Sequence, residues 1–348
     1  MGVPVLTHFI IVKGIMDWKM MENFSVDMIA GEEDFPEMME QKILPWAKAN
    51  LGDGYFNSFD GRRIHYARAI NENEKATIVV SHGFCEFIPK YYEVLYYFYE
   101  MGYSVFMLEY RGHGFSQRAN EKLEQELDKV YVTDYREYVE DLHGFMDQVV
   151  CKESLTGQFI LFAHSMGGCI ASYFLEEYPN YFKKAILSSP LHEMNFKGTS
   201  PVAVNALFIL SKLLHWNMKY VPGQHGFDDV YGFDHSSCLS ENRYRYLFKC
   251  REDEPRYTTY GGSYAWTRAS VSATKQVVRN ASKIAIPVLL FQAGLDTMVE
   301  ARGQNEFAKA AANVELIRYD ESKHEIFNSL DYIRRDYYKK IFDFIGDM

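Results

Sequence analysis

The chain alternates short apolar runs with longer segments of helical spacing. Residues 77–81 form a compact β-branched run, the composition of a buried strand. Residues 92–101 carry apolar side chains at helical spacing and stop at Gly102, a residue type that ends helices readily. Residues 105–110 read as the next strand, 134–150 as a helix and 159–163 as a further strand. A helix-like segment follows at once to Tyr178 and Pro179, and 184–188 is strand-like again. Ahead of this series, residues 55–59 and 63–68 flank Asp60 and Gly61, a β-hairpin pattern. Such alternation predicts the α/β class: a mostly parallel sheet flanked by helices.

The rhythm breaks near residue 191, and no strand-like run occurs up to 282. Ser200 and Pro201 read as a cap with proline in the first helical turn. The strongly apolar stretch that begins at Val202 and passes Leu214 follows. Further helices are expected at 241–250 and 265–280. Strands resume at 287–292 and 314–319, and a terminal helix is expected at 332–345. The organisation predicted is a sheet core of residues 51–190 and 283–348. A helical cap, 191–282, is inserted before the last two strands. Residues 1–50 form an N-terminal extension with no motif. Its acidic run of Glu32, Glu33, Asp34, Glu37 and Glu40 reads as a solvated face.

Composition narrows the partners. A formal charge of -10 over 348 residues argues against a nucleic-acid backbone. The 5 cysteines are odd in number and lack Cys-x-x-Cys spacing, which favours reduced thiols and a cytoplasmic location. No metal-ligand spacing occurs among the 11 histidines, and the His225 to His235 stretch reads as a polar loop. Residues 3–12 are apolar but too short to span a bilayer. They leave a peripheral membrane contact open.

The densest chemistry lies where the strand at 159–163 meets its helix. Ala163, His164, Ser165, Met166 and Gly167 form a tight small-residue turn with a serine at its apex. This is the layout of a nucleophile elbow, with Ala163 in place of the usual first glycine. A serine hydroxyl needs a base, an acid to orient that base, and N–H donors for the developing oxyanion. Asp296 follows one predicted strand and His324 the next. Asp320 is a rival acid. The Met166 and Phe84 amides are the oxyanion candidates, and Gly83 allows close backbone approach. His82 reads as structural, bonded within its own loop. The loop from Tyr110 to Ser116 reads as a turn held by buried polar contacts.

With these residues in view, the chain resembles an α/β-hydrolase of the lysophospholipase L2 and monoacylglycerol lipase group, also described as serine aminopeptidase S33-like. The matching segments are the Asp60-Gly61 hairpin, Ser81 to Gly83, and Tyr110 to Ser116. They continue with His164 to Gly168, the stretch from Pro287 to Asp296 with Val299, and His324 with Glu325. The resemblance implies a Ser165, Asp296, His324 triad, an acyl-enzyme mechanism and a cap over the site. It implies a serine hydrolase acting on carboxylic esters of fatty acyl chains, with lysophospholipid or monoacylglycerol as substrate. No metal or organic cofactor is required. Cys85 stands where relatives often have a second glycine. Short-chain carboxylesterase and aminopeptidase activities are the alternatives, the latter needing a carboxylate for an amine among Glu193, Asp228, Asp229 and Glu241. A non-catalytic binding protein of the same fold is a third. The cap segment from Val202 to Leu214 either walls an acyl site and touches lipid, or packs its apolar face on the cap.

Overall fold

The computed structural model describes residues 24–346; the apolar 3–12 stretch lies outside them. Ten strands occur among these residues: β1 (Gly52–Asn57), β2 (Arg63–Ala69), β3 (Thr77–Ser81), β4 (Ser104–Leu108), β5 (Lys129–Val130), β6 (Phe159–His164), β7 (Lys184–Ser188), β8 (Gly261–Gly262), β9 (Val288–Ala293) and β10 (Val314–Tyr319). Eight of them form one sheet in the order β1-β2-β4-β3-β6-β7-β9-β10. The β1–β2 and β2–β4 pairs are antiparallel, and every pair from β4 to β10 is parallel. β3, β4, β6 and β9 are buried along their whole length, as expected for strands covered on both faces.

Sheet order positions the site. The chain runs from β3 outward to β4, then crosses back to β6 on the other side of β3. Ligands of open α/β sheets bind at the carboxyl ends of strands where the order reverses in this way. The loop after β3 and the turn after β6 meet there.

Two expectations need correction, and a third point left open by the sequence is decided. The first concerns the segment between β7 and β9. It is mainly helical, with helices at Pro201–Leu213, Glu241–Asp253 and Tyr264–Asn280, but it also contributes β8. That short strand pairs in parallel with β5 and ties the inserted segment to the loop after β4. Two glycines carry no strand signature, so pairing with Lys129 and Val130 decides their state.

The second concerns the acidic run, which is not uniformly solvated. Glu32 accepts from the Asn242 amide at 2.8 Å and from the Ser240 hydroxyl. It thereby caps the helix Glu241–Asp253 from outside. Helices at Phe35–Met38 and Leu44–Asn50, joined by a π-helical turn, bury Phe35, Met39, Ile43 and Trp46. Nearby, Glu93 receives Arg334 at 2.6 Å and Arg243 at 2.8 Å. This buried cluster joins three helices that are remote in sequence.

The third concerns the helix Pro201–Leu213. It does not pack its apolar face inward, for only Val204 and Ser211 are buried in it. Val202 is 78%, Ile209 62% and Leu213 72% exposed.

Candidate active site

β6 ends at His164, and the chain turns at Ser165 into the helix Met166–Glu177. Ser165 adopts φ 51° and ψ -118°, a conformation that costs a side-chain-bearing residue about 1–3 kcal/mol. Neighbouring backbone over-determines it. The Ser165 amide donates to the Ser188 carbonyl at 3.1 Å, and the Ser165 carbonyl accepts from Gly168 at 2.9 Å and Leu191 at 2.8 Å.

Glycine is required just beyond the serine. A Cβ at Gly167 would lie 2.2 Å from the Ser81 carbonyl oxygen, and one at Gly168 would lie 2.6 Å from Pro190 Cβ. Ala163 meets no such demand. It is an ordinary strand residue, registered with Ser81 and Leu187, and its methyl belongs to the buried core. The departure from the usual pentapeptide is packed rather than excluded.

Asp296 follows β9 and His324 follows β10, so both stand at carboxyl ends of neighbouring strands. His324 Nε2 lies 2.7 Å from Ser165 Oγ, and its Nδ1 lies 2.6 Å from Asp296 Oδ2. The other Asp296 oxygen accepts from the Met298 and Val299 amides at 2.8 and 3.1 Å. Burial disfavours a charge on His324, yet the Asp296 carboxylate outweighs it and raises the imidazole pKa. Burial would likewise raise Asp296, but His324 and the two amides pull it below the usual carboxylate value. Asp320 does not join this chain of contacts; its exposed carboxylate binds Arg318 Nε at 2.6 Å.

Met166 is the first residue of the elbow helix, and Phe84 lies in the loop after β3. Among the described residues, neither amide donates a hydrogen bond within the protein. The adjoining Cys85 has φ 60°, so the position where a glycine is often found does adopt the left-handed conformation. His82 is engaged at both ring nitrogens. Nδ1 lies 2.7 Å from the Gly83 carbonyl, and Nε2 accepts from the Tyr110 amide at 2.9 Å. The next loop is held by Arg111, whose guanidinium grips Asp141 with two bonds of 2.7 Å.

Two of the four carboxylates weighed as amine anchors are spent on arginines. Glu193 binds Arg302 at 2.9 Å and Glu241 binds Arg245 at 2.8 Å. Asp228 and Asp229 are exposed.

Sequence reasoning missed a buried ionic group behind the site. Glu86 accepts from the Gly83 amide and from Tyr91, and Lys90 reaches Glu86 at 2.7 Å and Glu325 at 2.8 Å. His164 Nε2 stands 3.6 Å from Glu86. The i, i+4 spacing of Glu86 and Lys90 was the available signal. Burial and the third partner were not visible in it.

A sheet in this order, with a serine at a strained strand-to-helix turn facing a buried His–Asp pair, defines an α/β-hydrolase. The chain belongs to the serine aminopeptidase S33 family, whose profile matches residues 72–331. It is 26% identical over 269 residues to a Haemophilus influenzae protein named "Probable lysophospholipase L2", covering 77% of this chain and 83% of that one. It is 27% identical over 229 residues to the monoglyceride lipase of Mus musculus, covering 66% and 68%. A soluble variant of monoglyceride lipase from Saccharomyces cerevisiae shares the fold with a TM-score of 0.65 at 19% identity, covering 85% of this chain and 96% of that one. The relatives are hydrolases, as the family implies.

Proposed function

We propose that this protein is a serine hydrolase that cleaves carboxylic esters of fatty acyl chains, lysophospholipid or monoacylglycerol, through an acyl-enzyme. Ser165 Oγ attacks the ester carbonyl while His324 Nε2 takes its proton. Asp296 holds the imidazole with Nδ1–H toward it and stabilises the imidazolium that forms. The Phe84 and Met166 amides hold the oxyanion of the tetrahedral intermediate. His324 then protonates the leaving alcohol, and the acyl group stays on Ser165. In the second half, His324 activates water, which releases the fatty acid and restores the serine.

The observation that carries this reading is the unbroken chain of contacts from Ser165 Oγ through His324 to Asp296, at 2.7 and 2.6 Å. The acyl substrate is supported by the names of the relatives and by the apolar exposed face of the helix Pro201–Leu213. The same face supports peripheral contact with lipid, and the free cysteines support a cytoplasmic location. No helix among the described residues is long and apolar enough to cross a membrane.

The test is labelling with a fluorophosphonate probe followed by hydrolysis of a substrate panel. Native protein is expected to label at Ser165 and to hydrolyse lysophospholipids or monoacylglycerols faster than p-nitrophenyl acetate or aminoacyl amides. An unlabelled Ser165, or faster turnover of the amides, overturns it.

A further inference from the structure

Lys90 belongs to no part of the proposed reaction, yet its side chain is only 5% exposed. Burying a lysine ammonium is costly unless partners compensate. Here two carboxylates do. Burial disfavours the charge on Lys90, but Glu325 and Glu86 outweigh it and hold the ammonium well above its usual pKa.

The two partners come from different loops behind the site. Glu86 closes the loop after β3, where its Oε2 accepts from the Gly83 amide. A Cβ at Gly83 would lie 2.7 Å from that oxygen, so the carboxylate is packed directly beneath the loop that carries Phe84. Glu325 is the residue after His324. Its Oε1 accepts from Ser237 at 2.7 Å and its Oε2 from Asn328 at 2.8 Å. One ammonium group therefore joins the loop bearing an oxyanion donor to the loop bearing the base. The sheet does not do this directly, because β10 is an edge strand and β3 lies four places away.

We infer that Lys90 is a positioning residue, an ionic bridge through Glu86 and Glu325 that sets the oxyanion loop relative to His324. The inference rests on the serine hydrolase reading. In the ground state nothing reacts at Lys90, so losing it leaves substrate binding largely intact and misplaces the groups that act in the transition state. Misplacement of catalytic groups by about 1 Å costs on the order of a hundredfold in rate.

The groups facing His324 are Asp296, Glu325, Glu86, His164 and, behind the two glutamates, Lys90. Glu325 and Glu86 both raise the His324 pKa. This gives a signature that loss of packing does not share.

The experiment measures kcat, KM and the pH profile on a soluble ester for full-length Lys90→Met, Lys90→Arg and Glu325→Gln, with fluorophosphonate labelling of the native protein alongside. Lys90→Met is expected to lower kcat roughly tenfold to a hundredfold with KM changed by less than about threefold. Lys90→Arg, which keeps the charge and the reach, is expected to recover most of that loss. Glu325→Gln is expected to lower kcat and to move the acid limb of the profile to lower pH. Native kcat in folded Lys90→Met overturns the inference, as does Lys90→Arg no better than Lys90→Met. If Lys90→Met does not fold, Glu325→Gln decides: native kcat and an unmoved acid limb overturn the bridge. Failure of the hydrolase reading is distinguishable, because it shows as absent labelling of the native Ser165.

Discussion

Gly167 and Ser81 are locked back to back. The Ser81 hydroxyl donates to the Gly167 carbonyl at 3.0 Å, while the Ser81 carbonyl leaves no room for a Cβ on Gly167. This contact seats the elbow helix on the end of β3 and brings Met166 beside the loop that carries Phe84. Gly167→Ala is expected to displace the helix start, to cost about 1–3 kcal/mol of stability, and to slow fluorophosphonate labelling. Denaturant unfolding and labelling kinetics check it. Ala163→Gly is expected to keep labelling at the native rate and to lose about 0.5–1 kcal/mol through backbone entropy.

Ser165 combines the proposed nucleophilic hydroxyl with a strained, positive-φ backbone. Ser165→Ala is expected to abolish labelling and to reduce ester hydrolysis by more than roughly a thousandfold with the fold intact. Ser165→Gly removes the hydroxyl and also the positive-φ penalty. It is expected to melt above Ser165→Ala, by about 1 kcal/mol of added stability. Equal melting temperatures for the two variants count against strain at the elbow.

In the proposed reaction the base form of His324 accepts the serine proton. Because Asp296 raises the His324 pKa above its ordinary value of 6.5, kcat/KM is expected to fall as pH drops, with a midpoint above 6.5. The stability contribution of the pair has the opposite sense on the basic side. A raised histidine pKa stabilises the fold below the unfolded value and loses that contribution as pH rises through the folded one. Asp296→Asn is expected to cut kcat by roughly ten-thousandfold and to remove both effects. A pH–rate profile and melting curves across the same range check this.

Glu93 is buried between Arg243 and Arg334. Burial opposes its charge, but the two guanidinium groups outweigh it and hold the pKa at about 2. Glu93→Gln leaves two buried cations short of an anion and is expected to cost roughly 3–5 kcal/mol. In the native protein the carboxylate contributes fully above its ordinary value of 4.5 and loses that contribution as pH falls toward about 2. Urea unfolding of both proteins at neutral and acid pH checks the magnitude and the sign.

Cys85 and Cys151 are expected to differ in reactivity. Burial pushes the Cys85 thiol far up, whereas Cys151 is exposed. Iodoacetamide is expected to modify Cys151 in the native protein and Cys85 only on unfolding. Mass spectrometry of the alkylated peptides checks it.

Much of the frame was legible in the chain because the signals are local. Apolar runs of strand length at 77–81 and 159–163 are buried from end to end, and such runs have few other uses. Ser165, Asp296 and His324 were readable as candidates because each follows a strand, where the sheet leaves its loops free. Residues 24–50 were opaque for a physical reason. Phe35, Met39, Ile43 and Trp46 do share helical spacing, but the partner that makes Glu32 a capping carboxylate lies 208 residues away at Ser240.

The sequence by itself determined the α/β class and the chain order of the candidate groups Ser165, Asp296 and His324, each following a strand-like run. These follow from periodicity, which acts over a few residues. Only the tertiary structure decided that β8 pairs with β5, that Ala163 is an innocuous strand position, and that the helix Pro201–Leu213 leaves its apolar face exposed. It alone joined Glu86, Lys90 and Glu325. Burial and ion pairing depend on which distant segments meet, and that is set by the packing of the whole chain.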